Sequence, residues 1–171
     1  AHWRRSHVDV IDETQMAGMF AELQREWGGL DVLCANAGIA GPTAQIEDVA
    51  LDEWRACVSV NLDGAFLAAK YAAPMMKAAE AGSIIVTSST AGQHGYPNRS
   101  PYCAAKWAVI GLAKTLAMEL GPHGGRCNVI CPGSVEGPAA TDDFGRGRDG
   151  EGCSRDPGCQ RQRVLRRPAR M

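Results

Sequence analysis

The chain has 171 residues, 45% of them hydrophobic, with a formal net charge of −1, which is enough apolar material for one domain with a real core. The near-zero charge gives no general pull toward nucleic acid or an anionic membrane, the apolar runs fall far short of a spanning helix, and no signal peptide is visible. Seven cysteines, an odd number scattered through the chain, read as reduced thiols of a cytoplasmic protein rather than a disulfide framework, and no Cys/His cluster has metal-ligand spacing.

In chain order, residues 8–10 read as a short strand. Asp12 with Gln15 three positions on is a capping-box pattern opening a helix. That helix carries Met16, Phe20, Leu23 and Trp27 on one stripe, and Gly28-Gly29 stops it. Residues 30–35 read as a buried strand. Asp52-Glu53-Trp54 opens a long helix reaching about Ala79, with Asn61 and Gly64 inside it. Residues 84–87 form the next strand, followed by a loop to Arg99. Pro101 sits in the first turn of a helix carrying Tyr102, Lys106, Ile110 and Leu116, which Gly121-Pro122 ends. Residues 127–131 are the last clear strand. Alternating strands and helices predict an α/β fold with a parallel sheet.

Tyr102 and Lys106 stand four apart, as Tyr-Cys-Ala-Ala-Lys, with Ser89 thirteen positions before the tyrosine. Residues i and i+4 of a helix share a face, one turn apart. A phenol is a poor base in water, but a cation held beside it favours the phenolate and fits it for acid–base work. Ser89 closes the run Ser-Ile-Ile-Val-Thr-Ser-Ser, a buried parallel strand ending in hydroxyls. Ligands of open α/β sheets bind at such carboxyl ends. The alternative is a solvated lysine beside a half-buried ring, an arrangement common on helices by chance. Cys57 and Cys103 read as packing residues.

These segments resemble the short-chain dehydrogenase/reductase family. The matching motifs are residues 30–38, ending Asn36-Ala37-Gly38, then Asn61-Leu62-Asp63-Gly64, Gly82 to Gly92, Tyr102 to Lys106, and Arg126 to Gly133, all in family order. The resemblance implies a Rossmann-like, doubly wound parallel sheet and an NAD- or NADP-dependent oxidoreductase interconverting a secondary alcohol and a ketone. It implies Tyr102 as the catalytic acid/base, Lys106 as its partner and a ligand of the nicotinamide ribose, and Ser89, rather than Ser88, as the group polarising the substrate oxygen. Asn61 falls where the family kinks its long helix and holds a proton-relaying water. Asn36, Ala37 and Gly38 match the turn close to the cofactor, Asp9 and Val10 the strand end that contacts adenine, and Pro132 and Gly133 the turn beneath the nicotinamide. The helices carrying Asn61 and Tyr102 would form a homo-oligomer interface, and the substrate would be a small alcohol or ketone.

Other features depart from the pattern. The glycine-rich turn that seats a pyrophosphate on a helix N-terminus is absent, and so is the residue that selects NAD or NADP. The strand at residues 8–10 would lack its sheet neighbours and would hang free or pair abnormally with residues 30–36. The threonine expected after Gly133 is also missing. Eight of the fourteen arginines lie beyond Ala139, where there is no lysine and little apolar area. The expectation is an incomplete dinucleotide-binding domain over residues 1–138 and a disordered Arg/Gly-rich tail over 139–171, its ends altered by truncation or a shifted reading frame. The competing expectation is a truncated, inactive remnant able only to associate through its helices.

Overall fold

A computed structural model describes residues 5–134, and the fold is that of the unit ending at Pro132. The expectations for the tail over residues 139–171 lie outside the described residues. In chain order the elements are α1 (Glu13–Trp27), β1 (Val32–Ala35), α2 (Leu51–Val58), α3 (Gly64–Ala78), β2 (Gly82–Thr87), α4 (Ser100–Leu120) and β3 (Gly125–Ile130). The three strands form one parallel sheet in the order β1-β2-β3. Val32 faces Ser83 across one ladder, and Gly82 faces Gly125 across the other. Each strand reaches the next through helices, as parallel strands require.

The apolar pattern explains the packing. Ile84 and Val86 of β2 are buried, as are Met76 and Ala72 of α3 and Val109, Ala113 and Leu120 of α4. α3 packs on β1 and β2, α4 packs on β3, and α1 lies against α3. Met16 and Phe20 enter this core, and Phe20 stacks on Tyr71 with centroids 6.0 Å apart. Glu13 ties the two helices at their surface by binding the Lys70 ammonium and the Tyr71 hydroxyl. Trp27 ends the expected stripe but stands 50% exposed in the last turn of α1, beyond the core. Gly28 then closes the helix at φ 76°, a left-handed conformation natural to glycine.

Asp12 accepts the Gln15 amide at 3.0 Å, as the capping pattern predicts. The Gln15 side chain reaches back past the cap, and its oxygen accepts the Asp9 N–H at 3.1 Å. Residues 8–10 do not form the expected strand. Their backbone bonds go to the start of α1 rather than to a strand, with the Asp12 N–H on the Asp9 carbonyl, and Val8 and Val10 are partly buried against the core. Val10 lies so close to Gly64 that a Cβ there would meet its Cγ2 at 2.8 Å. The expected buried strand at 30–35 is shorter and forms an edge, with Val32 53% exposed.

The long helix is interrupted. Ser59–Asp63 forms a π turn in which the Gly64 N–H reaches the Ser59 carbonyl, one residue further back than in an α-helix.

Candidate active site

The carboxyl ends of β1 and β2 and the first turns of α4 meet in one corner. Pro101 sits in the first turn of α4, where a missing N–H costs nothing. One turn on, Lys106 is only 4% exposed. Its ammonium donates to the Thr87 carbonyl at 3.0 Å and lies 5.5 Å from the Tyr102 ring centroid. Burial pulls the Lys106 ammonium below the usual lysine range, because a charge there has lost much of its water. The alternative of a lysine out in solvent therefore fails. Tyr102 is half-buried, and its hydroxyl has no hydrogen-bond partner among the described residues.

The two serines at the end of β2 have separate jobs. Ser88 is buried, and its hydroxyl donates to the Lys106 carbonyl at 2.7 Å. Gly92 makes that approach feasible: a Cβ there would stand 2.3 Å from the Ser88 Oγ and 2.5 Å from the Lys106 oxygen. Ser89 is half-buried and accepts the Ala91 N–H at 3.2 Å as the cap of a short 3-10 turn. Its hydroxyl proton is given to no described residue. The β2–β3 ladder extends past the strands, with the Thr90 N–H on the Pro132 carbonyl at 3.0 Å.

Asn61 lies in the π turn at 2% exposure. Its amide donates to the Ile39 carbonyl at 2.8 Å and the Cys57 carbonyl at 2.9 Å. The second bond runs one turn back along the same helix, from the π turn into α2. The Asn61 Oδ1 is buried with no partner, an expensive state for a polar atom unless a water or ligand group fills it. Gly38 borders the same space: a Cβ there would stand 2.6 Å from that oxygen and 3.4 Å from the Lys106 Nζ. Gly38, Asn61 and Lys106, far apart in sequence, are thus neighbours. The Cys57 thiol is fully buried beside Asn61, and burial pushes it above the usual thiol range, which fits packing rather than nucleophilic work.

The remaining sequence candidates lie around this corner or away from it. Asn36 and Ala37 are exposed in the loop after β1. Pro132 is fixed by Thr90, and Gly133 lies beyond the described unit. Asp9 is exposed, and its carboxylate accepts the Ile11 N–H at 3.1 Å beside the start of α1. Sequence reasoning missed the Thr87 carbonyl and Gly92. A glycine five residues past a strand end, facing a lysine carbonyl, leaves no trace in a single sequence.

Residues 2–151 match a family model described as enoyl-(acyl carrier protein) reductase. Over 133 residues the chain is 50% identical to trans-4-hydroxycyclohexanecarboxylate dehydrogenase of Sinomonas cyclohexanicum, covering 77% of this chain and 50% of that protein. The chain belongs to the short-chain dehydrogenase/reductase family. The matched relatives are named as dehydrogenases. Another family member, 3beta-hydroxysteroid dehydrogenase of Mediterraneibacter gnavus, is 35% identical over 130 residues, 76% of this chain and 47% of that protein. Among solved structures, NAD+-bound xylitol dehydrogenase superposes with a TM-score of 0.76 at 34% identity, over 78% of this chain and 52% of that one. The chain spans about half the length of these relatives. No helix among the described residues is long and apolar enough to cross a membrane.

Proposed function

We propose that this chain carries the proton-handling half of an NAD(P)-dependent dehydrogenase that interconverts a secondary alcohol and a ketone. The observation that carries the reading is the buried Lys106 ammonium 5.5 Å from the Tyr102 ring centroid. Two of the relatives are named for hydroxylated rings, which supports a cyclic alcohol as substrate.

NAD(P), when bound, supplies the hydride acceptor or donor. Tyr102 takes the proton from the substrate hydroxyl during oxidation and returns it to the ketone oxygen during reduction. Ser89 orients that oxygen with its free O–H. Lys106 has three donors and spends one on Thr87, leaving two for the ribose hydroxyls and for the phenolate. Asn61 holds a water on its orphaned oxygen and passes protons to Lys106. Asn36, Ala37 and Gly38 would contact the cofactor, and the lack of a side chain at Gly38 keeps the approach to Asn61 and Lys106 open. Pro132 and Gly133 would hold the nicotinamide end of the cofactor, and Asp9 with Val10 the adenine. These residues suit the nicotinamide end. No glycine-rich turn for the pyrophosphate stands among the described residues, so the 171-residue polypeptide by itself should hold either cofactor weakly. Exposed Phe66, Leu51 and Trp107 on α3, α2 and α4 support pairing of two copies through the Asn61 and Tyr102 helices.

Turnover of cyclic secondary alcohols, followed by cofactor reduction, tests the reading. Tyr102→Phe should lower the rate by roughly 10³-fold while leaving the melting temperature in place. A Tyr102→Phe variant as active as the parent chain would end it.

A further inference from the structure

Tyr102 has two cations near its ring, and the mechanism above uses one. The Arg99 guanidinium carbon lies 5.3 Å from the ring centroid, as close as the Lys106 ammonium. Arg99 is half-buried, and its Nη1 donates to the Thr43 Oγ1 at 2.8 Å. That bond joins the start of α4 to the loop after β1, and the Ala44 N–H on the Asn98 carbonyl at 3.1 Å makes the same join one residue away. The guanidinium is therefore anchored beside the phenol rather than trailing in solvent.

Its charge is not answered. No carboxylate lies within ion-pair distance of Arg99 among the described residues. Thr43 is neutral and occupies one of the five guanidinium donors. What remains is a planar fork suited to two parallel hydrogen bonds with a carboxylate, held at the edge of the reacting group. Lys106 does not serve in its place, because it is buried and its two remaining donors go to the ribose hydroxyls and the phenolate.

We propose that Arg99, steadied by Thr43, binds a carboxylate of the substrate, so that the alcohol handled by Tyr102 is a hydroxy acid. This assignment rests on the alcohol-dehydrogenase reading above. The hydroxyl sits at the phenol and the carboxylate at the guanidinium, a separation that one ring or short chain spans. Thr43 is a positioning residue, and Arg99 selects the substrate's charge.

Calorimetric titration of the full chain with 3-hydroxycyclohexanecarboxylate and with its methyl ester tests this, with the Arg99 Nε–H resonance followed alongside. The acid should bind tighter than the ester by roughly tenfold or more, as a charge-assisted pair implies. Arg99→Gln should erase that preference, and Thr43→Val should weaken it without erasing it. Equal binding of acid and ester to the parent chain overturns the carboxylate assignment alone. So does a preference that survives in Arg99→Gln. Binding of neither probe overturns the alcohol reading together with it. If Arg99→Gln does not fold, the acid–ester comparison on the parent chain decides.

Discussion

The Tyr102 corner and the β1 edge lie at opposite extremes of packing within one small sheet. At the corner, Ser88, Gly92, Lys106, Asn61 and Gly38 meet with no room for one more methyl group. At the edge, β1 alternates exposed and half-buried residues, and the groove along Trp27, Gly28, Gly29 and Leu30 opens to solvent beside it. The chain has kept its tight packing where protons would move and has an open flank where a dinucleotide-binding sheet would continue. The contrast teaches that the two duties of such a fold are separable. The acid–base residues depend on β2, α4 and the π turn, and none of them leans on β1's free side.

Glycine substitutions should break the comparison most sharply. Gly92→Ala drives a methyl into the Lys106 backbone carbonyl, which cannot step aside, and should cost about 3 kcal/mol in a denaturant melt. Gly38→Ala meets the Asn61 side chain, pinned by two hydrogen bonds, and should cost about 1–2 kcal/mol. Gly29→Ala, at the open flank with nothing within 4 Å of its Cβ, should stay within about 0.5 kcal/mol. Equal losses at all three positions would erase the distinction between corner and flank.

Lys106→Met should separate function from stability. Removing the ammonium ends proton transfer but also removes a buried charge, so the variant should melt within about 1 kcal/mol of the parent or above it. The sign with pH follows from linkage. Burial lowers the Lys106 ionisation in the folded chain, so between that lowered value and the ordinary lysine value the unfolded chain binds more protons. Folding stability of the parent therefore rises with pH across that window, and any advantage of Lys106→Met shrinks there. An advantage that does not change with pH would mean that the ammonium is well solvated, and one that grows would mean that the fold favours the charge. The smallest thermal effect belongs to Val32→Lys at the edge strand. It should leave the melting point unchanged while reducing self-association in sedimentation, since a lysine blunts an unpaired strand.

Much of the corner was legible in the sequence. The four-residue spacing of Tyr102 and Lys106 gave their shared helical face, and the hydroxyl-ended apolar run gave most of β2, which starts two residues earlier at Gly82. Helix ends were legible where they rest on local chemistry, as with Asp12, Gly28 and Pro101. Residues 8–10 failed as a strand because strands are made by partners, and their apolar alternation does not carry that information. The same cause shortened β1 and exposed Val32. The roles of Thr87, Gly92 and Arg99 depend on contacts between distant segments. Gly38 was recognised for its closeness to the cofactor, but its contact with Asn61 and Lys106 needed the fold.

The π turn at Ser59–Asp63 has a geometric meaning beyond its carbonyl. Each residue of an α-helix rotates the side chains about 100° around the axis. One surplus residue lodged between α2 and α3 therefore resets the angular phase, so that α2 can face α4 while α3 faces β1 and β2. Deleting a single residue there would turn the second half of the rod by more than a quarter circle relative to the first. The asparagine of the candidate site thus stands at the joint that lets one continuous helix serve two walls.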